Sequence, residues 1–178
     1  MDPAAESLMP LDGKIMLIVG AAGGVGSLLT QFAAQAGAHV DAVAPAAEAD
    51  RMTGYGAAET IDRASMTLPE AIAGTHPDGI DVLVDVASDP AQFAALAGHV
   101  RPGGTALTTR YVADPETLAR AGVTGVNFAL SMTAPLLDRL GAQVAAGSIV
   151  PPPITRVSLD DVPAMLGRHT EGKTVITM

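Results

Sequence analysis

The residues best suited to chemistry lie in one short run, Gly20-Ala21-Ala22-Gly23-Gly24-Val25-Gly26. Within it Ala21, Gly23 and Gly26 make A-x-G-x-x-G, a variant of the dinucleotide fingerprint with alanine in the first position. Gly23 lets the backbone come close to a pyrophosphate, and Gly26 lets a helix pack tightly against the preceding strand. Free N–H groups at the start of that helix, together with its dipole, favour an anion there. The competing reading is a purely structural tight turn, which Ala- and Gly-rich chains also produce. Context favours the first: Ile15 to Val19 read as a buried strand before the turn, and an apolar-periodic stretch follows it.

Other chemistries find less support. The histidines His39, His76, His99 and His169 are far apart, and none sits in an H-x-x-x-H arrangement or near a cysteine, so no metal site is expected. His39 begins a strand, His76 sits in a turn and His169 lies in a polar terminal segment, so surface or capping roles are expected of them. No G-x-S-x-G elbow occurs, which disfavours a serine hydrolase. Tyr55 has Glu59 rather than lysine four residues on, and no Walker lysine follows the glycines.

The elements that must position the glycine turn alternate along nearly the whole chain. A helix from the turn to Ala36 is expected to lay Val25, Leu28, Leu29, Phe32, Ala33 and Ala36 on the sheet. A second strand spans His39 to Ala44 and is closed by Pro45. A helix over Ala46 to Tyr55, a short strand at Glu59 to Ile61 and a helix over about Met66 to Ala73, stopped by Gly74, come next. Ile80 to Val86 form a strand with Asp81 at its entrance, while Asp85 either faces a cofactor or caps the next segment. Asp89-Pro90 and Asp114-Pro115 are helix starts, with an acceptor at the cap and proline at the first position. Arg101-Pro102-Gly103-Gly104 is expected to turn into a strand at Thr105 to Thr109, and Val123 to Leu130 to form another. Thr133 is expected to cap a helix with Leu136, Leu137, Leu140 and Val144 on one face.

This alternation predicts an α/β fold, a Rossmann-type doubly wound parallel sheet. Residues 1–13, with Pro3, Pro10 and Asp12-Gly13, form a leading segment with one short helical turn, and 14–150 the dinucleotide-binding domain. From Pro151-Pro152-Pro153 onward, residues 151–178 read as a C-terminal strand-helix-strand appendage: Ile154 to Val157, a helix from Ser158 with Asp161 in its capping box, and Thr174 to Thr177.

At the end of the second strand an acidic side chain would hydrogen-bond the adenosine ribose and disfavour a 2′-phosphate. That position is Ala44. Asp41 lies three residues earlier on the other face, and is read as a solvated strand-start residue. Arg51 and Arg63 lie downstream, where a guanidinium can meet a 2′-phosphate. The balance leans to NADP(H) over NAD(H).

Composition limits the partners. The 178 residues are 48% hydrophobic, 16% charged and only 3% aromatic, as expected of a globular α/β layer core built from small aliphatic side chains. A net charge of −9 with only ten Lys and Arg argues against nucleic acid. No apolar run reaches the ~18 residues of a spanning helix, and Met1 to Pro10 lack signal-peptide character, so a cytoplasmic chain without a membrane role is expected. The lack of cysteine excludes a disulfide, a thiol nucleophile and a thiolate metal site.

Taken together, Val19-Gly20-Ala21-Ala22-Gly23-Gly24-Val25-Gly26, Gly37-Ala38-His39-Val40, Tyr55-Gly56-Ala57, Gly79 to Asp85, Arg101-Pro102-Gly103-Gly104 and Glu171-Gly172-Lys173-Thr174-Val175-Ile176 occur in a known order and spacing. Over about residues 11–178 the chain resembles the cofactor-binding half of medium-chain dehydrogenases/reductases, most closely the zinc-independent quinone oxidoreductase-like and enoyl reductase branch. The resemblance implies a partner GroES-like barrel domain N-terminal to this half. These residues do not include it, so the chain is read as an excised portion of a longer enzyme or a natural short form.

The resemblance also implies pyrophosphate contacts at Gly23, Gly24, Val25 and Gly26 and adenosine contacts near Ala44, Arg51 and Arg63. It implies nicotinamide-side contacts at Val86-Ala87, Thr108-Thr109 and Asn127-Phe128, with Thr109, Arg110 and Asn127 as candidates for polar contacts near the ring. The lysine and tyrosine that often grip the 2′-phosphate in the family are replaced here by Ala- and Glu-rich sequence and Arg63. A homodimer through the strand near Val123 to Phe128 is implied, with a small-molecule quinone or enone as hydride acceptor. The alternative is a non-catalytic dinucleotide-binding or dimerisation module. No general acid is identified.

Overall fold

The computed structural model describes residues 10–165 and 172–178. Eight strands and seven α-helices follow in chain order among these residues: β1 (Ile15–Val19), α1 (Gly26–Gln35), β2 (His39–Val43), α2 (Ala49–Gly54), β3 (Glu59–Ile61), α3 (Leu68–Thr75), β4 (Ile80–Asp85), α4 (Pro90–Ala97), β5 (Val100–Thr108), α5 (Pro115–Arg120), β6 (Thr124–Asn127), α6 (Ala134–Ala145), β7 (Ile154–Ser158), α7 (Val162–Met165) and β8 (Lys173–Thr177). The first six strands form one sheet in the order β3-β2-β1-β4-β5-β6. Every pairing in it is parallel. This is the doubly wound fold expected from the alternation, with its switch point between β1 and β4.

Continuous apolar strands dictate burial on both faces. Residues of β1 and β4 divide between two separate cores: Leu17, Val19, Ile80 and Leu83 meet α3 and α4 through Leu68, Ile72, Phe93 and Leu96. Met16, Ile18, Val82 and Val84 meet Ala33 of α1 and Met52 of α2 on the other face. Asp81, buried near the start of β4, accepts from the Ile15 N–H (2.9 Å), from Lys14 Nζ (3.2 Å) and from Arg101. Burial works to raise its pKa, but these donors together hold the carboxyl below the usual carboxylate range.

Several expectations are corrected. In α1 the buried face is Gly26, Ser27, Thr30, Gln31 and Ala33, whereas Val25 and Ala36 are exposed and Leu28, Leu29 and Phe32 half-buried. Local hydrogen bonds make that polar face buriable: Thr30 Oγ1 donates to the Gly26 carbonyl, and the Gln31 amide joins the Ser27 and Val150 carbonyls. Gly74 does not stop α3, which runs on to Thr75. Arg101 to Gly104 belong to β5, as an irregularity across which pairing shifts from Ile80 with Val100 to Val82 with Thr105. Gly103 has φ +85° there, so the chain kinks without leaving the sheet.

Strand β6 is shorter than expected, and Thr133 makes no side-chain cap to α6. Leu137 and Val144 of α6 are exposed, and no residue of that helix is buried. The expected readings of His169 and of the segment before Pro10 fall outside the described residues. Asp89 and Asp114 cap α4 and α5 as expected, with proline at each first turn.

Strands β7 and β8 pair in parallel as a separate ribbon. Contacts with the glycine turn and α1 hold this segment in place. Gly172 bridges to Gly23, and the Gln31 side chain brackets Val150, receiving its N–H (2.7 Å) and donating to its carbonyl (2.9 Å). Among the described residues no helix is long and apolar enough to cross a membrane.

Candidate functional site: a cleft at the strand ends

Parallel strands place all their C-terminal ends on one edge of the sheet, and the switch point opens a crevice there. In this chain a cleft of about 480 Å³ occupies that position. Each of β1 to β5 contributes the residues just beyond it or at its tip: Gly20, Ala44 with Pro45, Asp62 with Arg63, Val86 with Ala87, and Thr109. The floor is the turn Ala22 to Val25, and Lys173 of β8 reaches in from the ribbon.

The turn is built by close approach. Gly20 has φ +86°, and a Cβ there would lie 2.9 Å from Val86 Cγ2, so the left-handed turn and the crossing of β4 both require glycine. The role of first fingerprint glycine therefore falls on Gly20. Ala21, assigned that position from spacing, is fully buried and donates its N–H to the Val43 carbonyl (3.1 Å). A Cβ on Gly26 would overlap the Gly20 carbonyl, which is the tight helix–strand packing expected of it. Gly23 differs: a Cβ there would meet only the Gly20 carbonyl, at 3.3 Å. Val25, at the N-cap of α1, supplies no side-chain acceptor to the helix end. An anion in the cleft would meet that uncapped end.

Of the residues singled out from sequence, Gly23, Gly24, Val25, Ala44, Arg63, Val86, Ala87 and Thr109 line the cleft. Ala21, Gly26, Arg51, Thr108, Asn127 and Phe128 do not. Arg51 Nε donates to Glu48 (2.5 Å) and its Nη2 to the Ala22 carbonyl (3.2 Å), so it braces the glycine turn from behind. Thr108 is buried and its Oγ1 accepts the Arg110 N–H (3.0 Å). Asn127 clamps the Ala113 backbone through both ends of its amide. Asp85, left open between two roles, caps the segment after β4 by accepting from the Ala87 and Ser88 N–H groups.

Spacing alone missed Lys173, Asp62 and Gly20. Lys173 stands in the closing run of the chain, about 150 residues from the glycines, and only the ribbon brings it back. A Cβ on Gly24 would overlap its side chain, so Gly24 makes room for the lysine stem. The Asp62 carboxylate accepts the Ala64 N–H (2.9 Å) in the turn after β3, beside Arg63, whose Nη2 donates to Gln92 (3.3 Å).

Asp41 is the clearest departure. It is not solvated: only 1% of it is exposed, and His76 and His39 converge on it from α3 and from its own strand. Asp41 and Ala44 do face opposite sides of the sheet, since Ala44 packs in the α1–α2 core and Val43, on the Asp41 face, in the α3–α4 core.

The sequence pattern of the zinc-binding dehydrogenase family matches residues 24–134. A search of curated proteins finds no match. Among solved structures, a quinone oxidoreductase from Coxiella burnetii superposes with a TM-score of 0.81 at 20% identity, covering 95% of this chain and 54% of that one. A Pseudomonas syringae quinone oxidoreductase gives 0.76 at 23%, over 97% and 59%. A Sinorhizobium meliloti protein solved bound to NADP gives 0.74 at 23%, over 95% and 54%. The chain thus spans a little over half the length of each of these proteins. With the glycine turn at the switch point and this family match, the chain belongs to the zinc-binding dehydrogenase family and is the cofactor-binding domain of a medium-chain dehydrogenase/reductase.

Proposed function

We infer that this chain is the NADPH-binding module of an oxidoreductase that passes hydride to a conjugated acceptor, a quinone or an enone. The observation that carries the reading is the cleft itself: an uncapped helix N-terminus behind a glycine turn, with Lys173 and Arg63 on its walls. These residues fit a dinucleotide phosphate. Gly23 leaves room for close backbone approach, the α1 end offers N–H donors, and Lys173 supplies a positive charge beside Gly24. At the β2 end, Ala44 presents no carboxylate to repel a 2′-phosphate, and Arg63 stands within the same cleft.

Once bound, the cofactor supplies the hydride, and the protein's part is to bind and orient it. Val86, Ala87 and Thr109, beyond β4 and β5, would pack at the nicotinamide end. The family name implies zinc, but among the described residues the cleft lining offers one carboxylate, Asp62, and no histidine, and the sequence has no cysteine. Those groups do not fit a zinc ion in this cleft.

A homodimer through β6 belongs to the same reading, because β6 is one of the two edge strands of the sheet and its outer side can pair with a second copy. The second reading, a binding module without turnover, is favoured by Val86, Ala87 and Thr109 themselves: no acid or base stands among them. NADPH titration followed by a quinone-dependent NADPH oxidation assay separates the two. Binding with turnover supports the oxidoreductase, binding without turnover supports the second reading, and no binding overturns both.

A further inference from the structure

A second cluster of chemically able side chains lies away from the cleft. His39 and Asp41 stand two residues apart on β2 and so project from the same face of the sheet. On that face α3 packs through Leu68, Ala71 and Ile72, and His76 follows as its C-cap. Helix packing thus carries a residue 35 positions away in the chain onto the same carboxylate. His76 Nε2 lies 2.6 Å from Asp41 Oδ2, and His39 Nε2 lies 3.2 Å from Asp41 Oδ1. The two rings meet edge to face, with centroids 5.7 Å apart. One ligand atom from each of the three residues falls within 4.8 Å of the others.

A second observation points to a missing ligand. Asp41 Oδ1 is buried and accepts no hydrogen bond, although His39 is close. Leaving a buried carboxylate oxygen unsatisfied costs free energy, and a cation would remove that cost. Access is available: the Asp41 and His76 side chains are only 1% and 11% exposed, but His39 is 44% exposed and forms the open side.

We propose that His39, Asp41 and His76 form a binding site for a divalent transition-metal cation, Zn²⁺ above all, that pins the start of β2 to the end of α3. Two neutral imidazole nitrogens and one carboxylate oxygen suit Zn²⁺, Co²⁺ or Ni²⁺ far better than Mg²⁺ or Ca²⁺. Zinc holds such atoms at about 2.0–2.2 Å, which sets tetrahedral ligand atoms about 3.4 Å apart, so His76 Nε2 and Asp41 Oδ2 must open from 2.6 Å while the wider pairs, all within 4.8 Å, draw in, with the Nε2–H replaced by a lone pair. Water completes the coordination on the His39 side. The site stands at the opposite end of β2 from Ala44 and the cleft, so its role is structural and independent of the cofactor reading.

The test uses the untagged chain, stripped with EDTA and titrated with ZnCl₂ by calorimetry, with Co²⁺ absorption as a readout of coordination. The expected result is one equivalent bound, a raised Tm, a Co²⁺ d–d spectrum, no response to Mg²⁺, and affinity lowered at least about tenfold in His39→Gln and in His76→Gln. His39→Gln changes a half-exposed side chain and leaves the core intact, and His99→Gln serves as the control that should bind as the parent does. No binding, or equal affinity in all three variants and the parent, overturns the proposal.

Discussion

Gly23 and Gly26 are three residues apart and do different things. Because a Cβ on Gly23 meets only one carbonyl at 3.3 Å, Gly23→Val should fold normally, as judged by thermal melting, yet fill the floor of the cleft and abolish NADPH binding in a fluorescence titration. A Cβ on Gly26 overlaps backbone, so Gly26→Ala should instead lose about 1–3 kcal/mol of stability in denaturant unfolding, because the helix must shift away from β1. Lys173→Ala should weaken NADPH about tenfold, the loss of one charge-assisted phosphate contact, with no change in Tm. Gly23 and Gly26 were legible from sequence because their spacing is local, while the role of Gly20 shows only in its positive φ and its approach to Val86. Lys173 was not, because nothing in its own neighbourhood shows that β8 returns to the turn. Arg51 carries the right charge, but its hydrogen bonds to Glu48 and the Ala22 carbonyl occupy it behind the turn.

Strands and capped helices were readable wherever one local rule dominated: the apolar runs of β1 and β4, and the Asp-Pro starts of α4 and α5. Reading failed where tertiary contacts overrode the local pattern. The buried face of α1 is polar because Gln31 reaches Val150, a partner 119 residues away. The glycines of β5 look like a turn, but pairing with β4 resumes on both sides of them. Arg101, within that irregularity, helps Lys14 and the Ile15 N–H hold the Asp81 carboxyl ionised. Because the folded-state pKa of Asp81 is depressed, its contribution is complete above the unfolded value of about 3.9 and is lost as pH falls through the folded value. Asp81→Asn should therefore flatten the acid limb of the stability curve and lower stability at pH 7 by about 1–3 kcal/mol, measured by urea unfolding across pH.

Among the described residues the doubly wound sheet has β6 as one of its two edge strands, and α6 leaves Leu137 and Val144 exposed. A dimer through β6 would join two sheets, and sedimentation velocity should then give a species of twice the 17.9 kDa chain mass; a concentration-independent monomer would contradict it. The cleft between β1 and β4 is proposed as a dinucleotide phosphate site with room for a 2′-phosphate. Parallel titrations of the purified chain with NADPH and NADH test this most directly. Saturable one-to-one binding of NADPH, tighter than that of NADH and with the preference reduced in Arg63→Ala, is the expected result; tighter NADH binding would contradict the roles given to Ala44 and Arg63, and saturation by neither would contradict the site itself.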